Sequence, residues 1–249
     1  MSHQHNILDG TWPLARDPDN VGRQQHWYTM LSLPAAERTT VPGIIQQTFP
    51  GYHGVAWYTR AFTPEPPRYP QARYLLRFGV VDYLADVWVN GIYVGQHEGG
   101  ETPFTLDVTD ALAAVPSDAA HWLTVRVLNP HHEPIDGIVL NETPHRNKYV
   151  PFANGGSYNY GGITESVELT QAPVVRVTDV FVDANWQTGE AVVTAALSNQ
   201  AGTPCPCELA FAIAPAATGE AEAAAVVALA SVAREVVPGA TTVQVSLRV

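Results

Sequence analysis

Apolar residues in this chain recur at every second position, in short runs broken by turn-forming residues, and that period disfavours helical architectures. Tyr74, Leu76, Phe78 and Val80 fall on one face of an extended segment, with Arg73 and Arg77 on the other. Ala85, Val87 and Val89 repeat the pattern and run into Asn90-Gly91, the pair favoured in a type I′ hairpin because both turn positions need positive φ. Ile92 and Val94 carry the return strand as far as Gly95. Leu123, Val125 and Val127 predict another strand, closed by Asn129-Pro130, and Val167 with Leu169 predict the last strand of this half.

The texture changes after Gln171-Ala172-Pro173, which reads as a short linker. Beyond it, Val175 and Val177, then Ala191 to Leu197, Leu209 to Ile213, and Val243 to Leu247 alternate between turn signals at Gln187-Thr188-Gly189, Gln200-Ala201-Gly202 and Pro238-Gly239. That spacing is the pattern of an immunoglobulin-like sandwich. Ala221 to Val236 favours helix by propensity, but its neighbours predict strand. About 75 residues follow the linker, against about 100 in a complete sandwich of this type, so the second domain is expected to lack its last strands. The sequence therefore predicts an all-β chain, with one sandwich over residues 1–172 and an immunoglobulin-like one over 173–249.

Composition excludes several classes of partner. The chain has 249 residues, with 13 Lys and Arg against 24 Asp and Glu, for a formal charge of −11. Nucleic acid and anionic membrane both need concentrated positive charge, and neither is an expected partner. No apolar run approaches the roughly 20 residues that span a bilayer, and the first residues carry no secretory pattern. The expected location is cytoplasmic. Cys205 and Cys207, separated by one proline, are expected as reduced thiols at a strand start, since a disulfide between them would be strained. His131-His132-Glu133 combines metal-ligating residue types, but adjacent residues of an extended chain point in opposite directions. No metal and no cofactor is expected.

One stretch departs from the alternation. Residues 130–160 are rich in Pro, His, Asn and Gly and almost without periodic apolar signal. Long irregular loops in compact domains are often functional, which makes this the first place to look for ligand contact. All the tryptophans but Trp186 lie in the first half, where rings could stack on the C–H face of a pyranose, although most such rings simply fill cores. Trp57, Trp88 and Phe104 are expected in the sandwich core.

A series of short motifs in residues 8–170 resembles the amino-terminal jelly-roll domain of family 2 glycoside hydrolases, the group of β-galactosidases, β-glucuronidases and β-mannosidases. In order they are Leu8-Asp9-Gly10-Thr11-Trp12, Val41-Pro42-Gly43, Gly54 to Phe62, Ala85 to Gly91, Val94 to Gly100, Pro103-Phe104, Asp107-Val108-Thr109, Asn159-Tyr160-Gly161-Gly162-Ile163 and Val167-Glu168-Leu169. The second half matches the family's immunoglobulin-like domain in position and strand texture only. The resemblance implies that catalysis belongs to a barrel following that domain, where two glutamates about 5–5.5 Å apart act in a retaining mechanism. Such a barrel needs roughly 250 residues of its own. The expectation is a non-catalytic portion of a retaining β-glycosidase, with no catalytic residue here; Glu98, Glu101, Glu142, Glu165 and Glu168 are expected in strands or surface loops. The alternative is a free-standing carbohydrate-binding or adhesion module.

In the family, jelly-roll loops reach the barrel mouth and touch the sugar. β-Glucuronidase-like relatives carry an aspartate just before the Asn-Tyr motif, and aligned on Asn159-Tyr160 that position is Gly156 here. The carbohydrate-contact candidates are therefore Tyr52, His53, Tyr158 and Asn159. The expected partners are a β-glycoside ligand and the catalytic barrel, in the same or a separate chain, with the oligomeric state open.

Overall fold

The computed structural model describes residues 6–116, 119–140, 159–216 and 225–249. The chain forms two compact units, one of residues 1–66 and 73–171, the other of 67–72 and 172–249. The chain passes from the first unit to the second after Gln171. The assignment of 67–72 to the second unit has no counterpart in the alternation pattern.

The first unit contains strands β1 (Asn6–Ile7), β2 (Gly10–Asp17), β3 (Glu37–Val41), β4 (Gly54–Phe62), β5 (Arg73–Phe78), β6 (Val81–Asp82), β7 (Leu84–Val89), β8 (Ile92–Glu98), β9 (Phe104–Asp107), β10 (His121–Asn129), β11 (Gly162–Ile163) and β12 (Val167–Ala172). Two short helices interrupt them, α1 (Ile45–Thr48) and α2 (Thr109–Ala113). A six-stranded sheet in the order β3-β2-β4-β10-β7-β8 faces a four-stranded sheet in the order β1-β12-β5-β9. Trp12, Leu14, Ala56, Tyr58, Ala85, Val87, Val89, Leu123, Val125 and Val127 point inward from the larger sheet and meet Leu76, Phe78, Val167 and Leu169 from the smaller one. These are the residues whose period of two predicted strands. Asn90 and Gly91 turn the β7–β8 hairpin with φ of 53° and 77°, as the type I′ geometry requires.

The larger sheet is buried on its other face as well. Trp57 and Trp88 leave the space between the sheets and stack on each other there, ring centroids 5.3 Å apart. The expectation that they fill the sandwich core is thus corrected: alternation places 57 and 88 on the face opposite Ala56 and Val87. Trp27, Leu33 and Tyr28 from the irregular chain after β2 cover them, and Tyr28 stacks on Trp88 at 5.3 Å. Phe104 does pack against the inner core, stacked on Phe78 at 4.8 Å.

Beside this second cluster lies a buried ion network. Arg126 of β10 and Asp86 of β7 stand directly opposite in register, and Arg126 Nη1 donates to Asp86 Oδ2 at 3.1 Å. Arg126 Nη2 donates to Asp136 Oδ2 at 2.6 Å and Asn20 Oδ1 at 2.7 Å. Arg23 bridges the same two carboxylates, at 2.5 Å to Asp86 and 3.1 Å to Asp136. Two cations thus meet two anions, and the chain segments that cover the outer face are tied to the sheet. Burial alone would raise the Asp136 pKa, but Arg126, the Asn20 hydrogen bond and Arg23 outweigh it and hold the carboxyl below its ordinary value.

The second unit is a smaller sandwich. Strands β13 (Val175–Asn185), β14 (Glu190–Asn199) and β17 (Gly239–Arg248) form one sheet in the order β13-β14-β17, and β15 (Cys205–Ile213) pairs with β16 (Ala228–Val236) in the other. The strand expected within 221–236 is present from Ala228 onward. Leu197, Leu209, Val236 and Val243 form one part of its core, and Val193, Val245 and Leu247 another. Cys205 and Cys207 are free thiols at the start of β15, their sulfurs 3.8 Å apart.

Candidate functional site

Four polar side chains converge at one end of the six-stranded sheet, where β4 begins and β10 ends. Gly54 and Asn129 are register partners there. The chain before Gly54 folds back through α1, and its entry pairs with the return of the chain at 161–163: Gly43 N donates to Ile163 O at 2.7 Å and Ile45 N to Gly161 O at 2.8 Å. The two glycines permit this approach. A Cβ on Gly161 would lie 2.4 Å from the Asn129 Cβ, and one on Gly162, at φ +143°, would lie 2.7 Å from Gly43 O. The Gly-Gly step of the Asn-Tyr-Gly-Gly-Ile motif is therefore a packing requirement that sets Asn159 beside Asn129.

Asn129 is fully buried and acts as the hub. Its Oδ1 accepts from Gln46 Nε2 at 2.8 Å and faces His53 Nδ1 at 3.0 Å; its Nδ2 donates to Asn159 Oδ1 at 2.8 Å. Gln46 also donates to Tyr52 O at 2.7 Å and accepts from Gly161 N at 3.3 Å, so one amide joins three chain segments. Asn159 Nδ2 donates to Pro130 O at 2.6 Å. His53 Nδ1 lies 3.0 Å from Asn129 Oδ1, which can only accept, and 3.3 Å from Asn159 Nδ2, which can only donate, so this nitrogen meets the amide cluster in either tautomer of the ring. With every buried polar atom of the hub matched, the four side chains are held in one arrangement.

His53 and Asn159 thus belong to one constellation, and Tyr52 adjoins it through its backbone carbonyl. The Tyr52 side chain points elsewhere: its hydroxyl donates to Val55 O at 2.6 Å, and its ring packs edge-on to Phe49 at 6.3 Å with the Arg16 guanidinium 5.9 Å from its centroid. Burial raises its pKa to about 12, so the phenol stays protonated at neutral pH. Tyr158, Gly156 and Glu142 lie outside the described residues. Gln46 and Asn129 were missed by sequence reading. The adjacent Asn129-Pro130 was legible only as a strand stop, and a lone glutamine in a one-turn helix has no spacing to mark it.

The constellation is rich in amides, a donor and acceptor set suited to hydroxyl groups. None of its four side chains is a carboxylate, so it cannot by itself flank a glycosidic bond with an acid and a nucleophile. Glu98 accepts from the Tyr83 hydroxyl at 2.9 Å, and Glu168 lies 3.9 Å from Arg77. The His131 ring stands 6.5 Å from His53, but its Nδ1 accepts from Glu133 N at 3.1 Å. Among the described residues, no group of three or more His, Cys, Asp or Glu side chains is arranged to hold a metal ion, and no helix is long and apolar enough to cross a membrane.

The fold is an all-β sandwich domain followed by a second, smaller sandwich. The chain belongs to glycoside hydrolase family 2: its residues 43–173, more than half its length, match the family described as "Glycosyl hydrolases family 2, sugar binding domain". Curated relatives include the β-glucuronidase of Felis catus, 30% identical over 76% of this chain and 32% of its own length. The β-glucuronidase of Paenibacillus borealis is 28% identical over 78% of this chain and 33% of its own. The chain therefore spans about a third of the relatives it matches. Among solved structures, a β-glucuronidase from Ruminococcus gnavus in complex with D-glucaro-d-lactam superposes with a TM-score of 0.67 at 23% identity, covering 98% of this chain and 39% of that one. A family 2 member from Bacteroides cellulosilyticus gives 0.68 at 20% identity, covering 98% and 31%. At these identities the superpositions speak for the fold.

Proposed function

We propose that this chain is the non-catalytic amino-terminal portion of a retaining β-glycosidase, and that the Gln46-His53-Asn129-Asn159 constellation contributes to the wall of the sugar site. The observation that carries the reading is the pre-ordered, hydrogen-bonded amide cluster at the loop end of a family 2 sugar-binding domain. Cleavage is left to a barrel supplied by the same or another polypeptide. β-Glucuronides are the first substrates to test, because the relatives that cover most of this chain are β-glucuronidases. Gly156, where glucuronidase-like relatives carry an aspartate, argues for a looser hold on the sugar. A cytoplasmic site of action belongs to the same proposal.

With one wall of the site alone, binding is expected to be weak, roughly millimolar. An amide-resolved NMR titration of the full chain with glucuronic acid, galactose and mannose tests this. Saturable shifts at Gln46, His53, Asn129 and Asn159, removed by Asn159→Ala, are expected. Saturable binding at a strand face with these residues silent would favour a free-standing carbohydrate-binding module instead.

A further inference from the structure

Strand β15 opens on two thiols. In Cys205-Pro206-Cys207 the cysteines are two residues apart on an extended chain, so both side chains leave the same face. Cys207 packs against the cluster of Leu197, Leu209, Val236 and Val243, and Cys205 beside it is half-buried. Cys207 Sγ donates to Cys205 Sγ at 3.8 Å. β15 pairs with β16 over its whole length, with Cys205 opposite Val236 and Cys207 opposite Arg234. Pro206 adds a fixed φ between them. Strand pairing and ring together hold the two sulfurs at this spacing.

Two chemistries could use such a pair, and the spacing separates them. A disulfide needs sulfurs about 2.05 Å apart and Cα atoms usually about 5.5–6 Å apart. Residues two apart on a strand have Cα atoms about 6.6–6.8 Å apart, so closing the bond would pull Cys205 or Cys207 out of its pairing with β16. A tetrahedral metal ion with metal–sulfur bonds of about 2.3 Å separates two sulfur ligands by about 3.8 Å. A linear, two-coordinate ion with the same bonds would need about 4.6 Å. The observed 3.8 Å therefore fits the edge of a tetrahedron without movement of the backbone. Thiolates are soft ligands and select zinc and its thiophilic neighbours over magnesium or calcium. Burial and the adjoining Cys205 raise the Cys207 pKa, so an incoming ion has a proton to displace there. Among the described residues no third His, Cys, Asp or Glu joins the pair.

We propose that Cys205 and Cys207 form a bidentate site for a thiophilic, tetrahedral cation of the zinc type, with the two remaining positions taken by water or a small thiol. As each metal–sulfur bond forms, the thiol proton passes to solvent, and no electron is transferred. The site lies in the second unit and does not depend on the sugar-site reading, so either stands if the other falls.

The reduced full chain is titrated with cadmium chloride, whose thiolate complexes absorb in the ultraviolet, and then with zinc chloride in competition. Expected are one ion per chain, a thiolate-to-cadmium absorption that zinc removes, and amide shifts centred on Cys205, Cys207 and their partners Arg234 and Val236. Losing one arm of a chelate weakens binding by about 100-fold or more, and Cys205→Ser and Cys207→Ser should each do so. Cys205→Ser, at the strand start, keeps the test decisive if Cys207→Ser unfolds the second unit. Uptake as tight as the parent's in either folded variant overturns the proposal. So does uptake without the thiolate absorption, which would place the ion on other side chains. Closure to a disulfide in air ahead of metal uptake, read by mass as the loss of two hydrogens, would show that the strand does not hold the sulfurs apart and overturns it as well.

Discussion

Replacing Asp86 by alanine tests the ion network that ties the outer layer to the six-stranded sheet. Asp86 Oδ2 accepts from Arg126 at 3.1 Å and from Arg23 at 2.5 Å, and Arg126 is fully buried. Two guanidinium groups are balanced by two carboxylates, so removing Asp86 leaves one positive charge in excess against a buried face. Arg126 keeps Asp136 and Asn20 on Nη2 but loses its partner on Nη1. Breaking one side of such a buried pair costs about 3 kcal/mol, which lowers Tm by about 6–12 °C in a unit of this size. Urea unfolding followed by tryptophan emission reads this directly, because Trp27, Trp57 and Trp88 sit in the adjoining cluster. The double variant Asp86→Leu with Arg126→Met replaces the pair by apolar groups and should recover most of the loss, since no unpaired charge remains. A loss of less than about 1 kcal/mol for Asp86→Ala would place the pair in the range of surface ion pairs and refute the reasoning. A double variant less stable than Asp86→Ala would refute it too.

Two further outcomes follow from particular contacts. His121 is buried against Asn90 Nδ2, 3.0 Å from its Nδ1, and burial holds its pKa below the ordinary value. Its stabilising effect is present above the unfolded pKa of about 6.5 and is lost as pH falls below it, because the unfolded chain then binds the extra proton. The denaturation midpoint should fall between pH 7 and pH 5, and His121→Gln should flatten that slope; an unchanged slope contradicts the assignment. Gly161→Ala places a methyl against the Asn129 side chain, so it should disturb the site amides with little change elsewhere in the first unit. NMR spectra in which Gln46, His53 and Asn159 keep their parent shifts would show that the glycine does not position them.

Much of the strand framework was legible because β structure writes its period directly into the sequence. Ala85-Val87-Val89 and Leu123-Val125-Val127 face one core, and Asn90-Gly91 turns where its φ preference demands. The outer cluster was not, since Trp27, Tyr28 and Leu33 lie in irregular chain with no period to read. A local clue existed: Val55, Ala56, Trp57 and Tyr58 are consecutive apolar residues, and such a run signals a strand buried on both faces. At the candidate site, Asn159 was marked by its motif and His53 by its place in the loop before Gly54, whereas Asn129 and Gln46 join them only through contacts between residues up to 115 positions apart. Pairings of that range leave no trace in local spacing.

The central claim is that this portion binds beside the chemistry without performing it. Incubating the full chain with nitrophenyl β-glucuronide, galactoside and mannoside, and following release of nitrophenol, tests it most directly. The account predicts no turnover above buffer, because a retaining reaction needs two carboxyl groups about 5–5.5 Å apart across one bond and the amide cluster has none. Turnover that persists through repurification and disappears in Asn159→Ala would contradict it.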